Sequence, residues 1–169
     1  MMYEKSIELL NKAIADELTA VHQYMYFHFH CDDQGFDILA ALFLRTAMEE
    51  MVHIERLAER NLFLKGEVEM KATREVKKIH DVGEMVILAQ HMEESSILDY
   101  NRFANECAQN ADSNTKKLFE DLVNDEERHY DQYDTEIDNI KKFGQNYLAL
   151  QLIDRSRNNA TGPTPAAGA

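Results

Sequence analysis

Apolar residues recur in alternating steps of three and four along most of the chain, the spacing of helices that bury one face. This pattern predicts five helices, which we place at residues 3–30, 37–65, 82–110 and 114–142, with a short one near 145–153. Only two prolines occur, both close to the C-terminus, so no strong helix breaker interrupts these segments. We therefore expect an all-α fold.

The connections between the predicted helices differ in length. Residues 31–36, CDDQGF, form a turn after the first helix, and Asp112 or Ser113 can cap the fourth, so both flanking helix pairs read as antiparallel hairpins. Residues 66–81 extend to about 50 Å, whereas the second predicted helix is about 43 Å long. This segment can run from one end of a bundle to the other, which predicts a four-helix bundle with one long crossover.

The bundle and the short fifth helix make one domain, residues 1–153. Residues 154–169 lack an apolar pattern and are expected to form a flexible tail.

Asp81 and Glu84 have the spacing of a capping box at the start of the third helix.

Composition narrows the functional classes. A net charge of −13 argues against a nucleic-acid partner, because binding phosphates needs clustered Lys and Arg. The longest apolar runs are far shorter than the roughly 18 residues that a membrane span requires, and the N-terminus is already amphipathic, so no signal peptide is expected. Two cysteines favour a reducing, cytoplasmic setting. Cys31 is expected in a turn and Cys107 in the core.

Each predicted apolar stripe contains one glutamate at a position that should be buried. These residues are Glu17, Glu50, Glu93 and Glu126. Burying an ionised carboxylate without a partner is very unfavourable, so four of them in one bundle need a shared compensating charge.

The register of the two hairpins brings these glutamates to one height. The midpoint of Glu17 and Glu50 falls inside the first turn, and that of Glu93 and Glu126 falls at the edge of the second. Each second glutamate is followed three residues later by a histidine on the same helix face, which selects Glu50 and Glu126 over their neighbouring acids. The histidines are His53 and His129.

Four carboxylates and two imidazoles inside one bundle predict a site for two divalent cations. Two such cations balance the four carboxylates, and this donor set suits iron or manganese better than structural zinc. One Glu from each of two helices, with Glu-x-x-His from the other two, is the pattern of di-iron carboxylate bundles.

Four segments carry a resemblance to a known family: ELTAVHQY (17–24), EEMVHIERLAER (49–60), DEERHYD (125–131) and GQNYLALQL (144–152). In this order and spacing they resemble the bacterioferritins, which belong to the ferritin-like superfamily. The resemblance implies that Glu17 and Glu93 are terminal ligands of a di-iron site and that Glu50 and Glu126 bridge the two irons. It gives His53 and His129 to one iron each.

The same resemblance implies a function. We expect a ferroxidase that oxidises ferrous iron with dioxygen or peroxide and stores the ferric mineral inside a homo-oligomeric shell of 24 subunits, built from dimers. It implies a redox or hydrogen-bonding role for Tyr24 and haem ligation by Met51, one from each of two subunits. A reductase or ferredoxin is the implied partner for iron release.

Two alternatives stay open at this point. A di-iron peroxidase related to rubrerythrin uses the same bundle, although it usually carries an iron centre held by four cysteines. A non-enzymatic scaffold, such as a mini-ferritin-like shell, would sequester iron or haem without oxidation. Roles for four further histidines also stay open between surface, packing and secondary iron contacts: His22, His28, His30 and His91.

Overall fold

The computed structural model describes residues 3–160, apart from the side chains of residues 155 and 158–160. Within this range the regular structure is entirely helical, which confirms the all-α prediction. The helices are α1 Glu4–Asp33, α2 Asp37–Phe63, α3 Val82–Gln109, α4 Ser113–Phe143 and α5 Gln145–Ala160. The ends of the four long helices agree with prediction to within a few residues.

The bundle consists of two helical hairpins. α1 packs along α2, and α3 packs along α4, while contacts of α1 with α3 and of α2 with α4 join the two hairpins. The first turn needs Gly35, whose φ of 85° lies in the left-handed region, and Ala111 adopts a φ of 55° in the second. Among the described helices, none is both long and apolar enough to cross a membrane.

The crossover between α2 and α3 runs along α1 and is held by polar side chains of that helix. Asn11 accepts a hydrogen bond from the backbone of Glu69 at 3.1 Å, and Thr19 accepts one from Thr73 at 2.9 Å. Further along, Gln23 bonds both backbone groups of Lys77, at 2.8 and 3.0 Å. These contacts give partners to backbone groups that no helix satisfies.

Both helices of the second hairpin have a capping side chain at the N-terminus, as the sequence predicted. Asp81 accepts a hydrogen bond from the backbone of Glu84 at 2.9 Å and opens α3. Asp112, rather than Ser113, caps α4 by accepting from the backbone of Thr115 at 3.1 Å.

The core is divided at mid-height. One cluster of buried apolar residues surrounds Phe27, Phe43 and Tyr133, and the other surrounds Leu10, Phe103 and Phe119. Between the two clusters lies a layer of buried acidic and histidine side chains. The fold therefore surrounds these charged residues with apolar packing.

Two expectations need correction. α5 continues to Ala160 rather than ending near 153, so the first residues of the predicted flexible tail are helical; residues 161–169 lie outside the described range. Cys31 is not a turn thiol. It lies in the last turn of α1 with no exposed surface, and its Sγ is 3.6 Å from Met85 Sδ in the core.

Candidate metal centre

All six residues that the sequence singled out meet in the central layer of the bundle. None exposes more than 2 % of its surface. They come from all four long helices, because each hairpin places its glutamates level as the turn midpoints predicted. The residues are Glu17 on α1, Glu50 and His53 on α2, Glu93 on α3, and Glu126 and His129 on α4.

The six side chains form two overlapping groups. Glu17 and His53 join Glu50 and Glu126 in one group, and Glu93 and His129 join the same two glutamates in the other. Within each group, one donor atom from every residue lies within 4.8 Å of the others. Because Glu50 and Glu126 belong to both groups, they occupy the position that bridging carboxylates require. We call the two groups the Glu17–His53 half-site and the Glu93–His129 half-site.

Both histidine rings point Nδ1 towards the centre and Nε2 towards an acid on the opposite hairpin. His53 Nε2 lies 3.3 Å from Asp125 Oδ2, and His129 Nε2 lies 2.6 Å from Glu49 Oε2. Arg128 joins these two acids, at 3.2 Å from Asp125 and 2.8 Å from Glu49. Acids in this position fix the orientation of a metal-binding imidazole and increase its basicity.

Two tyrosines bond the carboxylates that belong to only one half-site. Tyr24 donates a short hydrogen bond to Glu93 Oε1, and Tyr100 donates to Glu17 Oε1 at 2.5 Å. Both rings are fully buried, and burial raises the pKa of each phenol well above its ordinary value. The sequence predicted a role for Tyr24 and missed Tyr100.

The carboxyl groups of Glu17, Glu126 and Glu50 differ in pKa because their surroundings differ. Burial, helped by the charge of Glu50, raises the pKa of Glu17 to about 8, and the same two causes raise that of Glu126 well above its usual range. Glu50 behaves in the opposite way: burial opposes ionisation, but the nearby rings of His129 and His53 lower its pKa to about 2.

The histidines are shifted in the direction that favours protonation. Burial opposes their charged forms, but the carboxylates of Glu50 and Glu93 raise the pKa of His129 to about 11. Glu126, Glu17 and Glu50 likewise raise the pKa of His53. Without another cation, protons supply the positive charge that this layer needs.

Several buried polar atoms of the layer have no hydrogen-bond partner. Both carboxylate oxygens of Glu50, one of Glu93, one of Glu126 and Nδ1 of His129 have no hydrogen-bond partner. The rings of His53 and His129 come within 2.8 and 3.2 Å of Glu50 oxygens without hydrogen-bond alignment. Such atoms are costly when buried, and oxygen donors with one imidazole in each half-site suit iron or manganese.

A constant spacing in the sequence could have revealed the missed residues. Glu93 follows Glu17 by 76 positions, and Glu126, His129 and Tyr100 follow Glu50, His53 and Tyr24 by the same interval. The same interval separates Glu49 from Asp125, which hold the outer ring nitrogens. The two hairpins therefore supply matching residues to a nearly twofold centre.

The remaining candidates lie outside this centre. Met51 points away from the bundle and is 57 % exposed, as its position beside Glu50 predicted. His28 is half-buried, with Nδ1 2.9 Å from the carbonyl of Ala40, and His30 packs against Tyr26, with ring centroids 4.2 Å apart. His22 and His91 are exposed.

A four-helix bundle with a long crossover and two matched Glu/His half-sites defines a ferritin-like protein of the di-metal carboxylate class. A family profile described as the ferritin-like domain matches residues 7–143.

Among curated proteins, the chain is 37 % identical over 145 residues to the bacterioferritin of Desulfovibrio desulfuricans, covering 86 % of this chain and 81 % of that protein. It is 31 % identical to the bacterioferritin of Rhodobacter capsulatus, covering 86 % and 91 %. The X-ray structure of the Desulfovibrio desulfuricans bacterioferritin, described as showing its diiron site in different catalytic states, matches with a TM-score of 0.87. That match has 34 % identity and covers 98 % of this chain and 94 % of the other. The chain belongs to the bacterioferritin family.

Proposed function

We propose that this protein is an iron-storing ferroxidase whose di-iron site is formed by the six buried side chains. The observation that carries the proposal is the pair of overlapping donor groups, buried and left with unpaired atoms. When bound there, two ferrous ions supply one electron each to dioxygen or peroxide.

Each residue has a distinct task in this proposal. Glu50 and Glu126 belong to both half-sites and would hold both ions. Glu17 and Glu93 each close one half-site as terminal ligands. The four carboxylates stabilise ferric iron more than ferrous iron, because a higher charge interacts more strongly with anions in a buried site. Family membership supports these roles.

The proposal extends to the assembly. By analogy with the family, 24 copies would form a cytoplasmic shell that stores the ferric mineral. Met51 from each of two subunits would hold a haem at a twofold interface, and a reductase or ferredoxin would supply the electrons that release the iron. The exposed position of Met51 supports the haem assignment, since a ligand shared between subunits must lie on the surface of each.

Burial of both cysteines argues against the peroxidase alternative. Cys31 and Cys107 have no exposed surface and lie in different core clusters, so they cannot contribute to one sulfur-ligated iron centre. The storage ferroxidase is therefore the better-supported function.

The decisive experiment exchanges Glu126 for glutamine. Because burial keeps the pKa of Glu126 high, a neutral amide of the same shape resembles its metal-free state, and the fold should survive. Anaerobic ferrous titration should then show fewer than two tightly bound ions per subunit. The rate of ferrous oxidation in stopped-flow measurements should fall at least about 100-fold. Removing a residue that only orients a metal ligand already lowers affinity or activity about 10- to 100-fold, and Glu126 is proposed as a ligand itself.

The neighbouring exchange Glu127→Gln is the matched control, since Glu127 is exposed on the same helix turn. It should retain two ferrous ions and the wild-type rate. Equal rates in Glu126→Gln and wild type would reject the proposed centre.

A further inference from the structure

Tyr100 has a partner that its own hairpin does not provide. Its hydroxyl, carried by α3, crosses the bundle and donates to Glu17 on α1 at 2.5 Å. Tyr24 makes the reciprocal contact, from α1 to Glu93 on α3. Each hairpin therefore provides a tyrosine hydroxyl that bonds a glutamate of the other hairpin, and each of these glutamates belongs to only one half-site.

The equivalence of the two tyrosines is visible in the sequence. Tyr24 lies seven positions after Glu17, and Tyr100 lies seven positions after Glu93. Two helical turns separate each glutamate from the tyrosine on its own helix, so both point inward. The two contacts are counterparts in the nearly twofold centre.

Aromatic packing fixes the hydroxyl of Tyr100 in place. Its ring centroid lies 6.1 Å from that of Phe103 and 5.7 Å from that of Phe119, and the tyrosine has no exposed surface. The ring of Tyr24 is held in the same way by Phe43, at 6.2 Å. A buried ring in contact with others has little rotamer freedom, so the hydrogen bond it makes is directional.

Glu17 depends strongly on this bond for its orientation. Its Oε1 accepts from Tyr100 and lies 3.3 Å from Nδ1 of His53. Because the phenol occupies a lone pair of Oε1, the ionised form of Glu17 that binds a metal cannot rotate without losing a charge-assisted hydrogen bond. The remaining lone pairs stay directed at the half-site.

We propose that Tyr100 is the positioning residue of the Glu17–His53 half-site, as Tyr24 is of the Glu93–His129 half-site, and that each phenol sets the cation affinity of one half-site separately. This inference rests on the proposed function. Tyr100 thus controls cation binding to one half-site, and Tyr24 controls it to the other.

The test uses Co²⁺, whose visible absorption reports coordination without any turnover of iron. Anaerobic titration of the wild-type protein should give two Co²⁺ ions per subunit. In Tyr100→Phe, one of the two binding constants should weaken about 10- to 100-fold while the other stays unchanged, the size of effect expected for a residue that orients a metal ligand. Tyr24→Phe should show the same pattern.

A second exchange identifies which half-site each tyrosine controls. In a Glu17→Gln background, adding Tyr100→Phe should change the remaining Co²⁺ constant by less than twofold, whereas adding Tyr24→Phe should retain its full effect. If Tyr100→Phe weakened both constants equally, or neither, or kept its full effect in the Glu17→Gln background, the inference would be overturned.

Tyr133→Phe is the matched control. Tyr133 is also fully buried, with its ring centroid 5.8 Å from that of Tyr24, but its hydroxyl makes no hydrogen bond to the centre. Like Tyr100→Phe, the Tyr133→Phe exchange removes one phenolic oxygen, but it should leave both Co²⁺ binding constants unchanged. If Tyr133→Phe weakened Co²⁺ binding as much as Tyr100→Phe does, the loss of any buried hydroxyl would explain the effect, and the assignment would be overturned.

A wild-type protein that bound fewer than two Co²⁺ ions would instead reject the di-iron site itself.

Discussion

At the scale of single residues, the centre is a layer of charge that either protons or metal ions can balance. Glu17, Glu126, His53 and His129 all have a pKa raised above its ordinary value. With its pKa near 8, the carboxyl group of Glu17 is mostly protonated at neutral pH when no metal is bound. Metal ligation requires deprotonated donors, so cations and protons compete for the same side chains.

We therefore expect metal binding to release protons. At pH 7 the four groups with raised pKa should give up to four protons as two Co²⁺ ions bind, and the apparent affinity should rise with pH because fewer protons then have to be displaced. Calorimetry in two buffers of different ionisation enthalpy measures the number released. Proton release near zero, with affinity independent of pH, would contradict the protonation of this layer.

At the scale of elements, the start of α4 depends on one buried acid. Asp112 is 2 % exposed, accepts from the backbone of Thr115 at 3.1 Å, and lies 2.7 Å from a guanidinium nitrogen of Arg60 on α2. Burial opposes ionisation, but the bonds from Thr115 and the charge of Arg60 lower the pKa of Asp112. One side chain thus caps a helix and joins the hairpins.

Asp112→Ala should lower the free energy of unfolding by about 2–4 kcal/mol, because it removes the cap and leaves Arg60 without its buried partner. Ser113→Ala, at the exposed neighbouring position, should change it by less than about 0.5 kcal/mol. Since the pKa is lowered on folding, this contribution is present above the unfolded pKa near 3.9 and is lost as pH falls through the folded value. Thermal unfolding of the wild type and both variants at pH 7 measures the cap, and repeating it at a pH below about 3.9 should show a smaller difference between Asp112→Ala and the wild type. Equal melting temperatures of Asp112→Ala and the wild type at pH 7 would refute the prediction.

The sequence predicts the arrangement within each hairpin better than the arrangement of one hairpin against the other. Helix positions and the height of each glutamate follow from periodicity and turn midpoints, because both are properties of one hairpin. Contacts between hairpins do not follow from the periodicity of one hairpin; only the interval of 76 positions, which relates Tyr100 to Tyr24 and Asp125 to Glu49, points to them. The bonds from Tyr100 to Glu17 and from His129 to Glu49 depend on how one hairpin is oriented against the other. The helical extension to Ala160 lacks an apolar stripe that would indicate it.

At the scale of the whole molecule, α2 carries an apolar stripe that the single chain leaves uncovered. Met48, Met51 and Val52 are each more than half exposed and lie on one side of the helix. Contiguous exposed apolar surface marks interaction sites, and a shell built from dimers would cover it. Haem between two copies of this face would use Met51 from each.

Met51→Leu tests that arrangement with little change in volume. The thioether is lost while the apolar contact stays, so haem absorbance of protein produced with haem available should disappear, and native mass spectrometry should still give about 24 subunits, the size proposed from the family. Met48→Leu, at an equally exposed position one turn away, should keep both haem and mass. Haem retained in Met51→Leu would remove the ligand assignment, whereas haem and mass lost together would show that Met51 acts through assembly rather than by ligation.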